Sequence, residues 1–442
     1  MPQYQPSKET SKLDAFLGLD NKALLKVAEK LELKVMIEEM ESSTSIDDVP
    51  AVFICPISLE PMQEPVTLST GQTYERSNIV KWFSLGHRTC PITMQELWDD
   101  DDGGNSLTPN NTLSHLILTW FSHKYIATKK KLEDVQGRVS ELLDTLKKVK
   151  GQARVRALKE LHKLVESHVE ARKSVLENNG VALVSSLLGP FTSHAVGSEA
   201  IGIIVNFDLS SELKRDLVNP AKVSLLVDIM NEGTIETKMN CAKLIQILLM
   251  EGKNDIQNYE IVSSLSLLVG LLRLIRDKKH PNGVLIGLKL LKSICSSYES
   301  VRSSVVSIGT IPQLIEFLPN WNNECLEIAL YVLELLSTIP EGILALKQCP
   351  KIVPNVVKLL MRVSENCTQF ALSILLAIYK IAPEECASQA VEAGLAPKLL
   401  LVIQSGCNPV LKQMSSEFLK MCSLNYSANI LISKCMLTTT IQ

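Results

Sequence analysis

Residues 53–91 read FICPISLEPMQEPVTLSTGQTYERSNIVKWFSLGHRTCP, and this stretch decides the fold of the N-terminal part of the chain. Val66-Thr67-Leu68 alternates apolar and polar residues, as a half-buried strand does, and Thr70-Gly71-Gln72 is typical of a turn. The run from Glu75 to Ser84 predicts one helix, and Gly86 ends it. Short strands, turns and one helix together predict a small α+β unit.

Length and charge limit what the rest of the chain can be. At 442 residues the chain is too long for one hydrophobic core, since single cores stop growing at roughly 250–300 residues. The net charge of -3 and the pI near 6.2 provide no overall field that would hold the protein on nucleic acid or on an anionic membrane. We therefore expect more than one architecture and no nucleic-acid partner.

The N-terminus has no apolar stretch after a basic start, and no run of about 18 uncharged apolar residues follows. These absences predict no integral membrane segment and a cytoplasmic or nuclear location. The 11 cysteines are odd in number and scattered among Leu, Ile and Val, which is typical of buried reduced thiols rather than of a disulfide framework.

From about residue 151 the chain is helical and repetitive, with a period close to the ~40–47 residues of HEAT and armadillo units. A short helix precedes several of the repeated segments, and Gly180, Gly309 and Gly394 are expected to end those short helices. Residues 153–169 predict an N-terminal capping helix. About six units are recognisable, and their repeated segments begin at Val181, Val223, Leu265, Ile311, Val353 and Ala396.

These patterns predict four regions. Residues 1–50 hold an amphipathic segment and a linker, 51–125 form the α+β unit, 126–150 form a connecting helix, and 151–442 form the helical array. The acidic run at 98–105 is expected to be an exposed loop. Stacked repeats bury a continuous core and create a superhelix with a long concave face, which in such arrays binds other proteins.

A run of about seventy positions in the N-terminal part keeps a fixed order and spacing of apolar residues, prolines and a tryptophan. It comprises Phe53, Cys55-Pro56-Ile57, Pro65-Val66, Thr70–Tyr74, Trp82, Cys90-Pro91, Leu107–Asn110, Thr112-Leu113, Leu116-Ile117 and Trp120. This order resembles a U-box, the domain of a class of ubiquitin ligases. The combination with the repeats is similar to plant U-box proteins with armadillo repeats.

The resemblance implies a multidomain, mainly α protein, in which a small α+β U-box, RING-like but without zinc, precedes an α-solenoid of armadillo repeats. A zinc-stapled RING domain needs two ions with four Cys or His ligands each. Residues 51–125 contain only Cys55, Cys90, His87, His115 and His123, with no Cys-x-x-Cys pair. We expect no metal and no cofactor, and we expect Cys55 and Cys90 to be buried structural residues rather than nucleophiles or ligands.

By motif position, the resemblance places a ubiquitin-conjugating enzyme on Ile57, Leu59, Trp82 and Pro91. An aromatic and two aliphatic anchors around a proline suit the centre of an interface. The alternative is that Ile57 and Trp82 fill the core. A domain this small also needs cross-links between its loops, and the polar candidates for them are Ser58, Glu60, Thr73, Arg76, Thr89 and Thr93.

The family implies a ligase without a covalent ubiquitin intermediate, which holds the charged conjugating enzyme on the U-box while the repeats select a protein substrate. One alternative is a non-catalytic adaptor that uses the U-box only for assembly. Another is an import receptor that binds basic peptides through repeated asparagines, but only Asn206 stands near the end of a repeat's last helix. Homodimerisation through the U-box or through residues 127–150 is an open alternative.

Overall fold

A computed structural model of the chain describes residues 33–41, 49–97, 107–249 and 256–425. The amphipathic segment predicted over residues 20–40 is described only from Leu33, and the acidic run at 98–105 lies outside the described residues. The described residues divide between two units, which fall within Met1–Glu141 plus Ser167–Ser174 and within Leu142–Glu166 plus Val175–Gln442. We call them the N-terminal unit and the array.

The N-terminal unit contains a three-stranded antiparallel sheet with the order β2-β1-β3. Val66 on the central strand faces Tyr74 on one side and Pro109 on the other. The predicted turn forms between β1 and β2, where Gly71 takes a φ of 78°, a left-handed conformation that costs glycine least. The strands are Pro65–Thr67 (β1), Thr73–Glu75 (β2) and Thr108–Pro109 (β3).

In its described residues the sheet is accompanied by α1 (Leu33–Glu41), α2 (Arg76–Ser84) and α3 (Asn111–Lys148), of which residues 111–141 belong to this unit. A further 3-10 turn spans Ala51–Phe53. The core joins residues of the sheet and helices, among them the fully buried Tyr74, Ile79 and Phe121. Met36 and Met40 of α1 enter the same core, so a stretch that the sequence assigns to an N-terminal segment contributes apolar side chains to this unit.

Helix α3 differs from the sequence expectation. The connecting helix predicted over residues 126–150 is the C-terminal part of one longer helix of 38 residues, which begins at Asn111. Asn110 starts it, since its Oδ1 accepts a hydrogen bond from the backbone N–H of Leu113 at 3.0 Å. No proline interrupts the helix, and the change in composition near Tyr125 does not end it. The domain boundaries at 50, 125 and 150 stay predictions.

The helical repeats start with α4, Gly151–Ser167, at the place of the predicted capping helix, and six three-helix repeats follow within the described residues. The first helices are α5 (Val169–Glu177), α8 (Ser211–Leu217), α11 (Ile256–Ser263), α14 (Arg302–Ser307), α17 (Pro340–Lys347) and α20 (Pro383–Glu392). The second helices are α6 (Gly180–Ser186), α9 (Pro220–Glu232), α12 (Leu265–Ile275), α15 (Thr310–Phe317), α18 (Ile352–Leu359) and α21 (Leu395–Gln404). Every second helix begins within three residues of the predicted start, so the repeat prediction is confirmed.

The third helices pack side by side along the array, each against the next, and we call them the third-helix row. They carry long runs of fully buried apolar residues, such as Ala329, Leu330, Val332 and Leu333, which a single unit could not bury alone. The row comprises α7 (His194–Ile204), α10 (Ile235–Leu249), α13 (Pro281–Ser297), α16 (Asn323–Leu336), α19 (Glu365–Ile381) and α22 (Pro409–Asn425).

In two of the repeats, the glycine between the first and second helices ends the first helix, as predicted. Gly309 and Gly394 take φ values of 80° and 82°, the left-handed conformation that ends a helix. In the first repeat Asn179 takes this conformation instead of the glycine, with a φ of 51°. Gly180 serves packing there, because a Cβ at this position would lie 2.9 Å from a methyl carbon of Val175 and 3.0 Å from one of Leu143.

We predict that Gly342→Ala destabilises the array by about 2–3 kcal/mol, because a Cβ there would overlap the carbonyl oxygen of Leu336, which is backbone and cannot rotate away. Gly406→Ala is the matched control, since nothing lies within 4 Å of a Cβ at that position. Urea unfolding followed by circular dichroism measures both variants. Equal midpoints for the two would contradict the packing of α17 against α16.

Candidate docking site on the N-terminal unit

Two six-residue segments of the N-terminal unit have the same backbone fold: loop 1, Cys55–Glu60, and loop 2, Cys90–Gln95. In each, the cysteine N–H donates to the carbonyl of the sixth residue, at 2.8 Å in loop 1 and 2.9 Å in loop 2. The fifth residue donates back to the cysteine carbonyl at 2.8 and 2.9 Å. That fifth residue is left-handed in both, with φ values of 61° at Leu59 and 57° at Met94.

The sequence contains the signal for this duplication, because Cys-Pro-Ile-Ser-Leu-Glu and Cys-Pro-Ile-Thr-Met-Gln match position by position. Sequence reasoning used the two Cys-Pro pairs separately and missed the internal repeat. Residues Ile92 and Met94, the counterparts of Ile57 and Leu59, were therefore missed as candidate contacts.

The loops present apolar side chains to solvent. Ile57 is 38% exposed and Leu59 76% in loop 1, while Ile92 is 49% and Met94 66% in loop 2. Pro91 is half-buried beside them. Large apolar side chains grouped on a surface mark an interaction site, whereas scattered ones do not. Ile57 is not part of the buried core.

Trp82 on α2 connects the helix to loop 2. Its indole N–H donates to the backbone carbonyl of Thr89 at 2.8 Å, and its ring stacks on His87 with centroids 3.9 Å apart. The side chain is half-buried and packs on the core, yet keeps an accessible edge. Trp82 can therefore both position loop 2 and contact a partner.

The sulphur atoms of the two loops are buried and accept hydrogen bonds. Cys55 Sγ accepts from the backbone N–H of Glu75 at 3.3 Å and from Asn78 Nδ2 at 3.6 Å. Cys90 Sγ accepts from Thr70 Oγ1 at 3.4 Å and lies 3.1 Å from the hydroxyl of Tyr74. Each loop is thus anchored by its sulphur to a neighbouring strand or turn.

These hydrogen bonds change the acidity of the groups involved. Burial raises the pKa of the Cys90 thiol, but hydrogen bonds from Thr70, Thr93 and Tyr74 outweigh it and lower the pKa to about 6. Burial and the contact with Cys90 raise the pKa of Tyr74. The pKa of Cys55 is lowered because hydrogen bonds, chiefly from the backbone of Glu75, outweigh the burial that raises it. Cys90 therefore accepts hydrogen bonds as a thiolate at neutral pH.

The structure places the six polar candidates in different roles. Thr73 Oγ1 lies 2.9 Å from Thr67 Oγ1 across the strand pair, and Thr93 contacts Cys90. Arg76 pairs with Glu64 at 3.3 Å on the surface. The remaining three contribute backbone groups: Ser58 donates its N–H to Cys55, the carbonyl of Glu60 accepts from Cys55, and that of Thr89 accepts from Trp82.

Glu75 is a cross-link that sequence reasoning missed. One of its carboxylate oxygens accepts hydrogen bonds from the backbone N–H groups of Gln63 and Glu64, at 2.7 and 3.0 Å. This joins the end of β2 to the segment before β1. A glutamate in such a position looks like an ordinary surface residue in the sequence, because its partners are backbone groups 11 and 12 residues away.

Within the described residues, no three His, Cys, Asp or Glu side chains come together as they would around a metal ion. The described part of the chain also has no single helix both long enough and apolar enough to cross a membrane.

Comparison with known proteins identifies the two units. A U-box domain model matches residues 49–126, and a model of the plant U-box protein ARM repeat region matches residues 138–442. The chain is 57% identical to U-box domain-containing protein 30 of Arabidopsis thaliana, over the full length of both. The chain belongs to the plant U-box proteins with armadillo repeats.

Two further relatives are similar to this U-box protein over most of its length. U-box domain-containing protein 75 of Oryza sativa subsp. japonica is 54% identical, and the match covers 93% of this chain and 91% of that protein. E3 ubiquitin-protein ligase PUB23 of Arabidopsis thaliana is 28% identical, over 88% and 94% of the two chains. The expected fold class is confirmed, since a U-box precedes an array of armadillo repeats.

We predict that the U-box becomes more stable as the pH rises from about 6 to about 9. The folded pKa of Cys90 lies below the ordinary value of 9.0, so the unfolded state binds more protons in this window. This stability is present above the unfolded pKa and is lost as the pH falls through the folded one. The stability is measured by urea unfolding, followed by tryptophan fluorescence, in a Trp321→Phe background. The remaining tryptophans, Trp82, Trp98 and Trp120, all fall within the residues matched by the U-box model.

Cys90→Ala should reduce this rise and leave the part that comes from Cys55, whereas Cys407→Ala in the array should keep all of it. A wild-type U-box whose stability stays flat over the window would contradict the lowered pKa of Cys90.

Proposed function

We propose that this protein is an E3 ubiquitin ligase. Its U-box holds a ubiquitin-charged conjugating enzyme on loop 1, loop 2 and α2, and its third-helix row receives the protein substrate. Support comes from the names of two relatives, E3 ubiquitin-protein ligases PUB23 and PUB22 of Arabidopsis thaliana, which are 28% and 26% identical to this chain. U-box domains imply a conjugating enzyme as partner, and armadillo repeats imply a protein substrate.

The observation that carries the docking proposal is the apolar surface of the paired loops. Ile57 and Ile92 occupy the same position in two loops of one conformation, so the surface has two anchors of the same geometry. The partner site also includes Leu59, Trp82 and Pro91. Rigid apolar anchors lose little entropy on binding, because the backbone hydrogen bonds already fix the loops that present them.

The transfer itself requires no nucleophile from this chain. The substrate lysine amine attacks the thioester carbonyl, the conjugating enzyme's cysteine leaves as a thiolate, and an isopeptide bond forms. The ligase brings the amine and the thioester together, which is catalysis by proximity and orientation. Cys55 and Cys90 suit no covalent role, since both sulphur atoms are fully buried and hydrogen-bonded within the U-box.

A specific contact disfavours the import-receptor alternative. The side-chain amide of Asn206 donates to the backbone carbonyl of Gly202, at 2.7 Å, one turn earlier in the chain. The amide N–H of Asn206 therefore donates within its own segment and not to the backbone of a bound peptide. The adaptor alternative, in contrast, is decided by measurement. Homodimerisation and the cytoplasmic or nuclear location stay predictions.

We predict that the purified chain, with activating enzyme, ubiquitin and a panel of conjugating enzymes, forms ubiquitin conjugates, and that Ile57→Ala lowers the rate at least tenfold. Removing an apolar anchor from an interface centre costs about 2 kcal/mol or more of binding free energy. A zinc-selective chelator, added while ATP and excess Mg²⁺ sustain the activating enzyme, should leave the rate unchanged. Leu344→Ala is the control, because this residue of the array is 57% exposed and lies outside the loops.

Absence of conjugates with every conjugating enzyme would overturn the ligase proposal and favour the adaptor. A rate that falls equally in Ile57→Ala and Leu344→Ala would contradict the assigned docking surface.

A further inference from the structure

A groove crosses the third-helix row at four consecutive units, with a volume of about 720 Å³. Residues of α10, α13, α16 and α19 line it, so one extended ligand can touch four repeats. It is outside the U-box, and the docking of the conjugating enzyme does not use it. The charges of its side chains indicate which ligand it suits.

Most charged groups of the groove already have partners within the protein. Lys289 of α13 forms an ion pair with Glu324 of α16 at 2.8 Å. The Glu327 carboxylate accepts hydrogen bonds from Ser364 Oγ at 3.0 Å and from Asn366 Nδ2 at 3.2 Å. The charge of Glu324 is therefore neutralised by Lys289, and the Glu327 carboxylate already accepts two hydrogen bonds from neutral groups.

Lys292 is different. Its ammonium lies 5.0 Å above the centroid of the Tyr331 ring, and the side chain is exposed. Within the described residues no carboxylate comes within ion-pair distance of it. The ring faces one side of the ammonium and attracts it there, which leaves N–H donors for a ligand on the others. Gln246, on the neighbouring third helix, lines the same groove and adds a neutral amide.

An apolar platform adjoins this cation. The Tyr331 and Phe370 rings lie 5.1 Å apart between centroids, at an angle of 57°, and both are half-buried. Ile328, almost fully buried, forms part of the lining between them. In an extended chain, side chains two positions apart point the same way and stand about 7 Å apart. A carboxylate at Lys292 and an apolar side chain on the rings suit that spacing.

We propose that this groove binds an extended acidic segment of a protein substrate, with a carboxylate on Lys292 and the next-but-one apolar side chain on Tyr331 and Phe370. The inference rests on the proposed function, in which the third-helix row receives the substrate. A basic segment is disfavoured, because Lys292 would repel it, while Glu324 is paired with Lys289 and Glu327 already accepts two hydrogen bonds.

The test uses two peptides with fluorescein on the N-terminal amine, fluoresceinyl-Glu-Leu-Glu-Leu-Glu-amide and its counterpart with Lys for Glu, and measures fluorescence anisotropy with the full chain at low salt. We expect the acidic peptide to bind at least about tenfold more tightly than the basic one, and Lys292→Glu to weaken it about tenfold. Lys347→Glu, the same charge change at an exposed residue of α17 outside the groove, should leave the affinity unchanged.

Equal or tighter binding of the basic peptide would overturn the inference, and so would no binding of either peptide or an equal loss in Lys347→Glu. Ubiquitin transfer by the same proteins separates the two proposals. If the wild type and Lys292→Glu both form conjugates while the peptides fail, only the groove inference is wrong. If no conjugates form but the acidic peptide binds through Lys292, the ligase proposal alone fails.

Discussion

The geometry of the docking surface depends on hydrogen bonds that end on two buried sulphur atoms. Cys90 Sγ lies 3.1 Å from the Tyr74 hydroxyl, and the same hydroxyl accepts from the backbone N–H of Ile92 at 3.2 Å. A strand residue in the core thereby fixes both the first residue of loop 2 and one of its exposed anchors. Loop 1 is held to the end of β2 in the same manner, through Cys55 and Glu75.

This arrangement explains how so small a unit presents apolar side chains without losing its shape. The loops contribute few side chains to the core, so their order comes from charge-assisted and backbone hydrogen bonds. Glu75 adds two such bonds through its carboxylate, and Trp82 adds another through its indole. The two sulphur atoms are buried while the apolar side chains of the loops are exposed, so different side chains hold the loops and face solvent, with Trp82 contributing to both.

In the array, the repeat separates the side chains that hold the helices together from the side chains that a ligand can contact. Each third helix has one face of buried apolar residues, such as Leu290 and Leu291, that holds the row together. The rest of the helix surface does not hold the row together. Lys292, the residue after that buried pair, is exposed there. Ion pairs between neighbouring helices then determine which charges remain available to a ligand.

Sequence periodicity was sufficient for the parts of the fold that depend on local pattern. The turn at Gly71, helix α2 and the starts of all six second helices follow from glycine positions and apolar spacing. The continuity of α3 does not follow from local pattern, because the composition changes near Tyr125 although the helix continues. The roles of Asn179 and Gly180 also depend on tertiary neighbours, which local preference does not contain.

Ile57, Leu59, Trp82 and Pro91 are predicted as docking residues from motif position, and their role stays a prediction. The structure shows that Ile57 and Leu59 are exposed and that Trp82 is hydrogen-bonded to the residue before loop 2. The cross-links of the site, in contrast, could not be predicted. The cross-links join atoms far apart in sequence, such as Asn78 and Cys55, or end on backbone groups. The pairing of Lys289 with Glu324, 35 positions later, lies equally beyond local reasoning.

The most direct test of this account is the affinity of the chelator-dialysed chain for a conjugating enzyme, measured by titration calorimetry for the wild type, Ile57→Ala and Ile92→Ala. We predict an unchanged wild-type affinity after chelation and a similar loss, about tenfold or more, in both variants. Loss of binding on chelation, or an Ile92→Ala variant that binds like the wild type, would contradict a docking surface formed by two equivalent, hydrogen-bonded loops.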